Sequence, residues 1–464
     1  MPCYFAGCGR YISEGMKVCL SEGAPLQRHL LLLAQGKFEY GKAEAEAVAN
    51  SFGACLRGKW ESNESAPVQV LHSVPEQVVR KLMSRSVLCK SAFELWGSGR
   101  DYDQLRSSIS EYPDKFKAPF FAETKTFAVR VKGLGRKLPS SQQGKRIDDL
   151  ESVLPFQGKV KLEDPDAQFY ILEDYTKPGG SRTSTPRQIY FCRLLCDAQR
   201  GLFEKYSLKQ RKFIGNTSMD PMLGLAMANF ACAAPGKLVC DPFVGTGSLL
   251  ISAAHYGAYV VGADISYNIL HARGKSSRKD AGWRKRDETI RHSLAEYGLD
   301  HCYVDVLLAD AARHPWRAKR SVFDAIVTDP PYGIREACSR IGSKKEGVVV
   351  PELGEGLVHF PEQTAYHLDE IFTDLLDFAA RFLVERGRLV FWLPVYRSDY
   401  TPAIVPSHPA LTLVHNCEQV LNSHSSRRLI VMEKARDASV GRATIAGSVY
   451  SGHNAFRNRY FNQT

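Results

Sequence analysis

Short apolar runs alternate with amphipathic segments in this chain, and the alternation predicts a mixed α/β protein. Near the N-terminus, residues 30–34 and 68–71 have the apolar character of buried strands. Residues 42–52 have the spacing of an amphipathic helix, and residues 76–96 have helical spacing throughout. Together these segments predict a small α+β domain.

The next segment predicts a strand with a basic face. Residues 127–132 alternate apolar and polar positions, as a half-buried strand does. Basic side chains continue beyond it, separated by glycines that favour loops; they are Arg130, Lys132, Arg136, Lys137, Lys145, Arg146, Lys159 and Lys161. Such groups bind nucleic-acid phosphates without reading sequence, although a solvated face has the same composition. Residues 177–186, with two glycines among Ser and Thr, are the best candidate for a linker.

A fresh domain is predicted after this point. Segments 189–206, 222–232 and 370–386 have helical spacing, and residues 388–393 predict a strand. Four earlier apolar runs predict strands that end at aspartates, namely Asp241, Asp264, Asp310 and Asp329. Because parallel strands end at one edge of a sheet, we expect these acids to form one site. Residues 411–414 and 429–432 predict a closing pair of strands.

The loop after the first of these strands predicts a cofactor site. Asp241 and Pro242 precede Gly245 and Gly247, and glycines let the backbone approach a ligand closely. An NAD-type Rossmann loop is the rival, but the third glycine of that motif is missing, and a carboxylate at Asp241 repels a pyrophosphate. The ammonium group of S-adenosylmethionine suits this carboxylate. Asp241, Gly245 and Gly247 are therefore assigned to the methionine part of that cofactor, and Pro242 is assigned to cofactor binding.

Two of the other acids are assigned to the ribose and the adenine of the cofactor. Asp264 follows the second strand, where an acid binds ribose hydroxyls, and Asp310 follows the third strand and is placed near adenine. A helix N-cap is the alternative for each acid taken alone.

The tetrapeptide Asp329-Pro330-Pro331-Tyr332 suits chemistry on a planar amine. Two prolines cannot continue a sheet ladder, so the chain must turn out of the strand. Asp329 and the Pro330 carbonyl can accept the hydrogens of a nucleobase amine, and Tyr332 can stack on the base. A solvated turn is the alternative, since all four residue types are common in turns. No metal is needed for this chemistry.

The length and net charge of the chain indicate how many domains and what kind of partner to expect. The chain has 464 residues, a formal net charge of +11 and a pI near 9.0, which favours several domains and a polyanionic partner. No apolar run predicts a membrane span. Twelve cysteines are scattered without paired zinc-site spacing, which indicates reduced thiols and a cytoplasmic or nuclear protein. Residues 1–26 lack the apolar core of a signal peptide and predict a disordered extension.

Two further segments suggest contacts near the site. A second basic cluster surrounds Trp283; it comprises Arg273, Lys275, Arg278, Lys279, Arg284, Lys285 and Arg286. This cluster is typical of nucleic-acid contact, although a surface helix could look the same. Residues 335–365 predict a long loop over the site.

Several motifs resemble one family. Residues 241–247 (Asp-Pro-Phe-Val-Gly-Thr-Gly) and 328–335 (Thr-Asp-Pro-Pro-Tyr-Gly-Ile-Arg) are similar to those of the eukaryotic methyltransferases that modify the exocyclic amine of guanosine at position ten of tRNA. The resemblance extends from about residue 28 to the C-terminus and includes residues 213–219 and 425–430. It implies S-adenosylmethionine-dependent N2-methylation of tRNA, assisted by a small zinc-binding activator subunit in a heterodimer.

The resemblance also implies a domain order. We expect a disordered extension at 1–26, a ferredoxin-like α+β domain at 27–120, a THUMP RNA-binding module at 121–180 and a methyltransferase domain at 181–464. The last is expected to be Rossmann-like, with a seven-stranded, mostly parallel sheet. Two other functions stay open from the residues alone: an adenine-N6 or rRNA amino-methyltransferase, which shares the proline motif, and a non-catalytic RNA-binding scaffold.

Overall fold

The computed structural model describes residues 27–34, 38–61, 66–177, 181–278, 282–317, 320–334, 336–343, 361–435 and 441–445. It divides the chain into two compact units, Met1–Ala198 and Gln199–Thr464. The boundary expected at residues 180 and 181 therefore lies inside the first unit. The expected extension at 1–26 lies outside the described residues.

The first unit contains one six-stranded sheet in the order β2-β1-β3-β6-β5-β4. Its strands are β1 Arg28–Leu33, β2 Val68–His72, β3 Cys89–Gly99, β4 Phe127–Leu134, β5 Ala167–Asp174 and β6 Gln188–Asp197. Neighbouring strands are antiparallel except β4 and β5, which are parallel. Its helices are α1 Phe38–Ser51, α2 Glu76–Met83, α3 Tyr102–Glu111, α4 Asp114–Lys117 and α5 Ser140–Asp148.

Two strands of this sheet were predicted as helix, and those predictions are wrong. Helix α2 ends at Met83, so helical structure does not continue to residue 96, and residues 189–197 belong to β6. Strand β3 lies between β1 and β6 and is mostly buried along its length. An apolar run without alternation cannot be distinguished from a buried helix by its period. Residues 177–186 join β5 and β6, which are neighbours in this same sheet.

The second unit is built around a seven-stranded sheet in the order β14-β15-β13-β10-β7-β8-β9. Its strands are β7 Leu238–Asp241, β8 Tyr259–Asp264, β9 Tyr303–Leu308, β10 Phe323–Thr328, β13 Leu383–Tyr396, β14 Leu411–Val420 and β15 Ser425–Lys434, and a separate hairpin pairs β11 Ser339–Ile341 with β12 Gln363–Ala365. The helices are α6 Leu202–Lys205, α7 Pro221–Phe230, α8 Ser248–His255, α9 Tyr267–Leu270, α10 Ile290–Glu296 and α11 Leu368–Phe382.

The strand directions confirm the expected mostly parallel sheet. Strands β13, β10, β7, β8 and β9 run parallel, and β14 and β15 form the expected antiparallel closing pair. Helix α11 ends at Phe382 because β13 begins at Leu383, so the helix predicted to reach residue 386 is shorter. Among the described residues, no helix combines the length and apolar character needed to cross a bilayer.

The topology places a crevice beside β7. From β7 the chain moves outward through β8 and β9 and then returns to β10 on the other side of β7. The loops that leave β7 and β10 therefore diverge, and ligands of open α/β sheets bind at such a reversal of strand order. The four aspartates predicted to end strands lie at this same carboxyl edge, as expected.

Candidate active site

The glycine loop between β7 and α8 has the backbone shape of a ligand cradle. Gly245 and Gly247 have positive φ angles of 49° and 75°, which favour glycine. A Cβ on Gly247 would lie 2.8 Å from the Ile290 side chain, so this glycine permits close packing. A Cβ on Gly245 would meet nothing within 4 Å, so this side of the loop faces open space. Pro242, in the same loop, lines a narrow pocket together with Asp310.

Asp241 and Asp329 are joined through one threonine. Thr328 Oγ1 donates a hydrogen bond of 2.7 Å to Asp241 Oδ1, and Thr328 is the residue directly before Asp329. The hydroxyl is fully buried and ties the end of β10 to the end of β7. We call residues 329–332, which are predicted to hold the amine, the clamp. Asp241, the predicted cofactor acid, and the clamp therefore share one crevice.

The surroundings of the Asp241 carboxyl group suit a bound cation. Its side chain is buried, and Oδ1 also accepts a hydrogen bond of 3.0 Å from Phe243 N. Within the described parts of the chain, Oδ2 accepts no hydrogen bond. Burial raises the pKa of Asp241 to about 7, against the bonds from Thr328 and Phe243 and with the help of the negative charges of Asp264 and Asp329. An ammonium group bonded to Oδ2 would favour the charged carboxylate, so this residue fits the predicted cofactor.

Asp264 shapes the glycine loop from the end of β8. Its Oδ2 accepts a bond of 2.8 Å from Gly245 N, and its Oδ1 accepts one of 2.8 Å from Ser266 N. Burial raises the pKa of Asp264, while these backbone bonds act in the opposite direction. Each carboxylate oxygen has a second lone pair, so a diol can still bind here.

Asp310 is bonded to the backbone through both oxygens. Oδ1 accepts from Ala312 N at 2.9 Å, and Oδ2 accepts from Ile341 N at 2.8 Å. The second bond fastens the β11–β12 hairpin, part of the predicted loop at 335–365, to the end of β9. The position beside adenine thus stays a prediction, and the structure gives the carboxylate a supporting role in addition.

The proline motif forms a closed turn around Asp329. The Tyr332 hydroxyl donates to Asp329 Oδ1, and Arg427 Nη1 lies 3.3 Å from Oδ2. The Cys338 thiol donates to the Pro331 carbonyl at 3.1 Å, and Pro330 is buried. Burial raises the pKa of Asp329 to about 6, although the charge of Arg427 opposes this rise. The clamp carboxylate is therefore held by its own neighbours on both oxygens.

Arg427 is a site residue that the sequence did not reveal. It belongs to β15, where its guanidinium lies over the Trp392 ring at 4.0 Å and its Nε donates to Gln419 Oε1 at 2.8 Å. The only signal was the stretch 425–430, which carries the family resemblance without indicating a role.

A second unrecognised group lies in residues 213–219. Ser218 Oγ and Thr246 Oγ1 share a hydrogen bond of 2.7 Å, which fastens this segment to the glycine loop. Thr217 Oγ1 donates to Glu336 Oε1 at 2.5 Å, and the negative charge of Glu336 raises the pKa of both Asp264 and Asp329. Residues 213–219 therefore connect the cofactor side of the crevice with the clamp side.

The strand order, the glycine loop and the acids at the edge define a class I S-adenosylmethionine-dependent methyltransferase. Comparisons with known proteins specify it further. The tRNA (guanine(10)-N(2))-methyltransferase TRMT11 of Gallus gallus is 47% identical over 95% of this chain and 96% of its own length. The protein of the same name from Homo sapiens is 46% identical over 94% and 95%. The chain belongs to the family of tRNA (guanine(10)-N(2))-methyltransferases.

Two family models agree with this assignment in extent. Residues 27–200 match the model described as "Tmrp11 THUMP N-terminal domain", and residues 209–346 match the model described as "RMKL-like, methyltransferase domain". The crystal structure of TrmN from Thermus thermophilus aligns with 88% of this chain and 99% of its own, at 17% identity and a TM-score of 0.43. The strand order of the seven-stranded sheet and the match to the methyltransferase-domain model confirm the expected α/β methyltransferase fold.

Proposed function

We propose that this chain transfers a methyl group from S-adenosylmethionine to the exocyclic N2 amine of guanosine 10 in tRNA. The observation that carries the proposal is the bond from Thr328 to Asp241, because it brings the acid suited to an ammonium beside the acid suited to an amine. The names of the relatives specify the base and its position.

The clamp residues act on the guanine. The lone pair of the N2 amine is delocalised into the ring, so the amine is a weak nucleophile. Asp329 and the Pro330 carbonyl accept hydrogen bonds from its two N–H groups. These bonds increase the negative charge on the nitrogen and fix the direction of its lone pair. The amine replaces the Tyr332 hydroxyl as the donor to Asp329 Oδ1, and the Tyr332 ring then stacks on the base. Arg427 remains bonded to Asp329 Oδ2. Bound S-adenosylmethionine supplies an electrophilic methyl group.

The guanine must leave its base pair to reach this clamp. A nucleobase inside a duplex or tertiary pair cannot present its amine to a crevice at a sheet edge, so the base is extruded from its stack. Asp241 and the loop residues Pro242, Gly245 and Gly247 hold the methionine part of the cofactor, and Asp264 holds its ribose. Asp310 lies near the adenine.

The first unit supplies RNA contacts in this proposal. Lys132, Arg136, Lys137 and Arg182 line a cavity of about 490 Å³ beside β4. This concentration of positive charge suits RNA phosphates. Arg146, from the same predicted set, has a structural role instead, because it bonds at 2.6 Å to the buried Glu173. We assign the ferredoxin-like part to residues 27–120 and the THUMP module to the remainder of the first unit. Because β6 belongs to the sheet of that unit, we start the methyltransferase domain after Ala198 and not at residue 181.

A small zinc-binding activator subunit is the proposed partner, and β9 supports its docking. Strand β9 is an edge strand of the sheet, so one side of its backbone has no neighbouring strand in the described structure. Val304 and Leu308 on this strand are 52% and 51% exposed. A partner strand or loop would cover these side chains and bond the free backbone groups. We propose that the protein methylates tRNA together with this subunit in the cytoplasm.

Mass spectrometry of nucleosides tests the function. The full chain, co-expressed with an activator subunit, is incubated with S-adenosylmethionine and an unmodified tRNA transcript that carries G10, and the tRNA is then digested. We expect N2-methylguanosine, lost when G10 is replaced by adenosine. N6-methyladenosine as the product would support the adenine-methyltransferase alternative, and methylation of the G10-replaced transcript at another guanosine would refute the position.

A further inference from the structure

A basic hairpin with an exposed tryptophan lies between α9 and α10. We call its two sides, residues 273–278 and 282–286, the tryptophan hairpin. Across it, Ser276 N donates to Gly282 O and Arg284 N donates to Gly274 O, each at 3.0 Å. Lys275 and Trp283 form a β-bridge. The described residues are therefore not the surface helix that the sequence left as an alternative.

Trp283 is 74% exposed at this hairpin. Single exposed apolar residues are common on protein surfaces, so exposure alone indicates nothing. The surroundings distinguish this one, because four neighbouring cations are also exposed; they are Arg273, Lys275, Lys285 and Arg286. The acids that follow are engaged locally: Glu288 accepts from Lys285 N at 3.0 Å, and Asp287 lies 3.8 Å from His292. An open indole ring among exposed cations is the combination that binds unpaired nucleotides.

The other two arginines of the hairpin fix it in place. Arg278 donates to the carbonyl oxygens of Lys209 and Lys212 at 3.2 and 3.4 Å. The Arg284 guanidinium lies over the Phe213 ring at 5.5 Å. The segment that they hold continues directly into residues 213–219, which are bonded to the glycine loop. The hairpin is thus attached to the same rim of the second unit as the active site.

We propose that the tryptophan hairpin is an RNA-binding platform, in which Trp283 stacks on an unpaired base of the tRNA substrate while the exposed cations bind the flanking phosphates. The inference rests on the proposed function, since it takes tRNA as the substrate. Stacking needs no particular base, and a base extruded for methylation leaves unpaired neighbours beside the crevice. The platform would hold the opened RNA near the clamp.

Three aromatic variants and one lysine double variant of the full chain, each with its activator subunit, test the platform. Trp283→Ala removes the ring, and Trp283→Phe keeps a smaller one. Tyr259→Ala is the matched control, because Tyr259 is a 49% exposed aromatic residue at the opposite, amino-terminal end of β8. The KM for tRNA and the tRNA Kd are measured at several salt concentrations, together with kcat and the Kd for S-adenosylmethionine.

Stacking predicts a specific pattern. Trp283→Ala should raise the KM and Kd for tRNA about tenfold, while Trp283→Phe and Tyr259→Ala should stay within about threefold of wild type. The cofactor Kd should not change. The slope of log Kd against log salt should be unchanged in Trp283→Ala and shallower in a Lys275→Ala, Lys285→Ala double variant, because only the lysines release counterions.

Other outcomes would overturn the platform. An unchanged tRNA Kd in Trp283→Ala, an equal loss in the Ala and Phe variants, or a loss of affinity for the activator in place of tRNA would each do so. Failure of the proposed function is distinguishable, because the wild-type complex would then not methylate tRNA. If the wild type is active and Trp283→Ala equals it, only the platform is refuted.

Discussion

Arg427 Nη1 lies 3.3 Å from Asp329 Oδ2, so an arginine of β15 holds the carboxylate at the end of β10. The side chains are 15% and 22% exposed, which limits screening of their charges by water. The Trp392 ring at 4.0 Å and Gln419 at 2.8 Å hold the guanidinium in turn. If Asp329 accepts the amine as proposed, Arg427 acts through it and is a positioning residue for the methyl transfer.

Replacement of Arg427 should change both the rate and its pH dependence. The positive charge lowers the pKa of Asp329, so its loss should raise that pKa further above about 6. The amine needs the ionised carboxylate, and the acid limb of kcat should therefore move to higher pH in Arg427→Ala, with a loss of roughly tenfold or more at pH 7. Arg427→Lys should recover part of the shift. Arg428→Ala is the control, since Arg428 bonds Asn416; an equal shift in this variant would contradict the assignment.

Loss of the clamp carboxylate should separate chemistry from cofactor binding. Asp329→Ala is expected to lower kcat by about 100-fold or more, because the amine loses an acceptor in the transition state. The Kd for S-adenosylmethionine, measured by calorimetry, should stay within about threefold, since the proposal assigns its charged contacts to Asp241 and Asp264. An equal loss of cofactor binding would show that Asp329 also contributes to binding S-adenosylmethionine, which contradicts the proposed separation of roles.

The sequence predicted the parallel core and its edge well, for a local reason. Each of β7, β8, β9 and β10 is a short, mostly apolar run with an acid at its end or within two residues of it, so strand and site are encoded together. Arg427 could not be found in this way, because it reaches Asp329 from 98 positions away and only the antiparallel pairing of β13 with β15 brings it near. The prediction was wrong for β3 because burial within the sheet removes the alternation on which the prediction depends. It was wrong for β6 because the buried positions of this half-buried strand do not alternate along its whole length.

Cofactor affinity should depend on pH through Asp241. The pKa of this carboxyl is about 7, raised by burial, and an ammonium binds the ionised form. Below pH 7 the proton competes with the cation, so the Kd should increase by up to tenfold per pH unit as the pH falls, and it should level off above pH 7. Asp241→Asn should bind weakly at pH 8 and show little of this dependence. A Kd that is constant between pH 6 and 8 in the wild type would remove Asp241 from the ammonium site.

Charge reversal beside the β4 cavity should weaken tRNA binding. Lys132 and Lys137 line the cavity and are exposed. Arg136 is left unchanged, because it also donates to the Ser184 carbonyl at 2.8 Å and its replacement would remove a structural bond as well as a charge. We expect the double variant Lys132→Glu, Lys137→Glu to raise the KM for tRNA about tenfold, because phosphate contacts are lost and repulsion is added. The exposed Lys145 lies outside the cavity lining, and Lys145→Glu should have a smaller effect. Equal effects would indicate nonspecific charge attraction.

Polar substitution on β9 should disrupt the activator complex and leave the fold intact. Val304 and Leu308 are exposed on an edge strand, so Val304→Asp with Leu308→Asp changes little inside the sheet but places carboxylates where an apolar partner surface would dock. Co-purification and calorimetry should show a loss of affinity of about 100-fold, with an unchanged thermal midpoint of the isolated chain. Val420→Asp is the matched control, because Val420 is 52% exposed at the end of β14, the opposite edge strand of the same sheet. Retained binding in the β9 variant, or equal loss in the control, would exclude β9 as the docking strand.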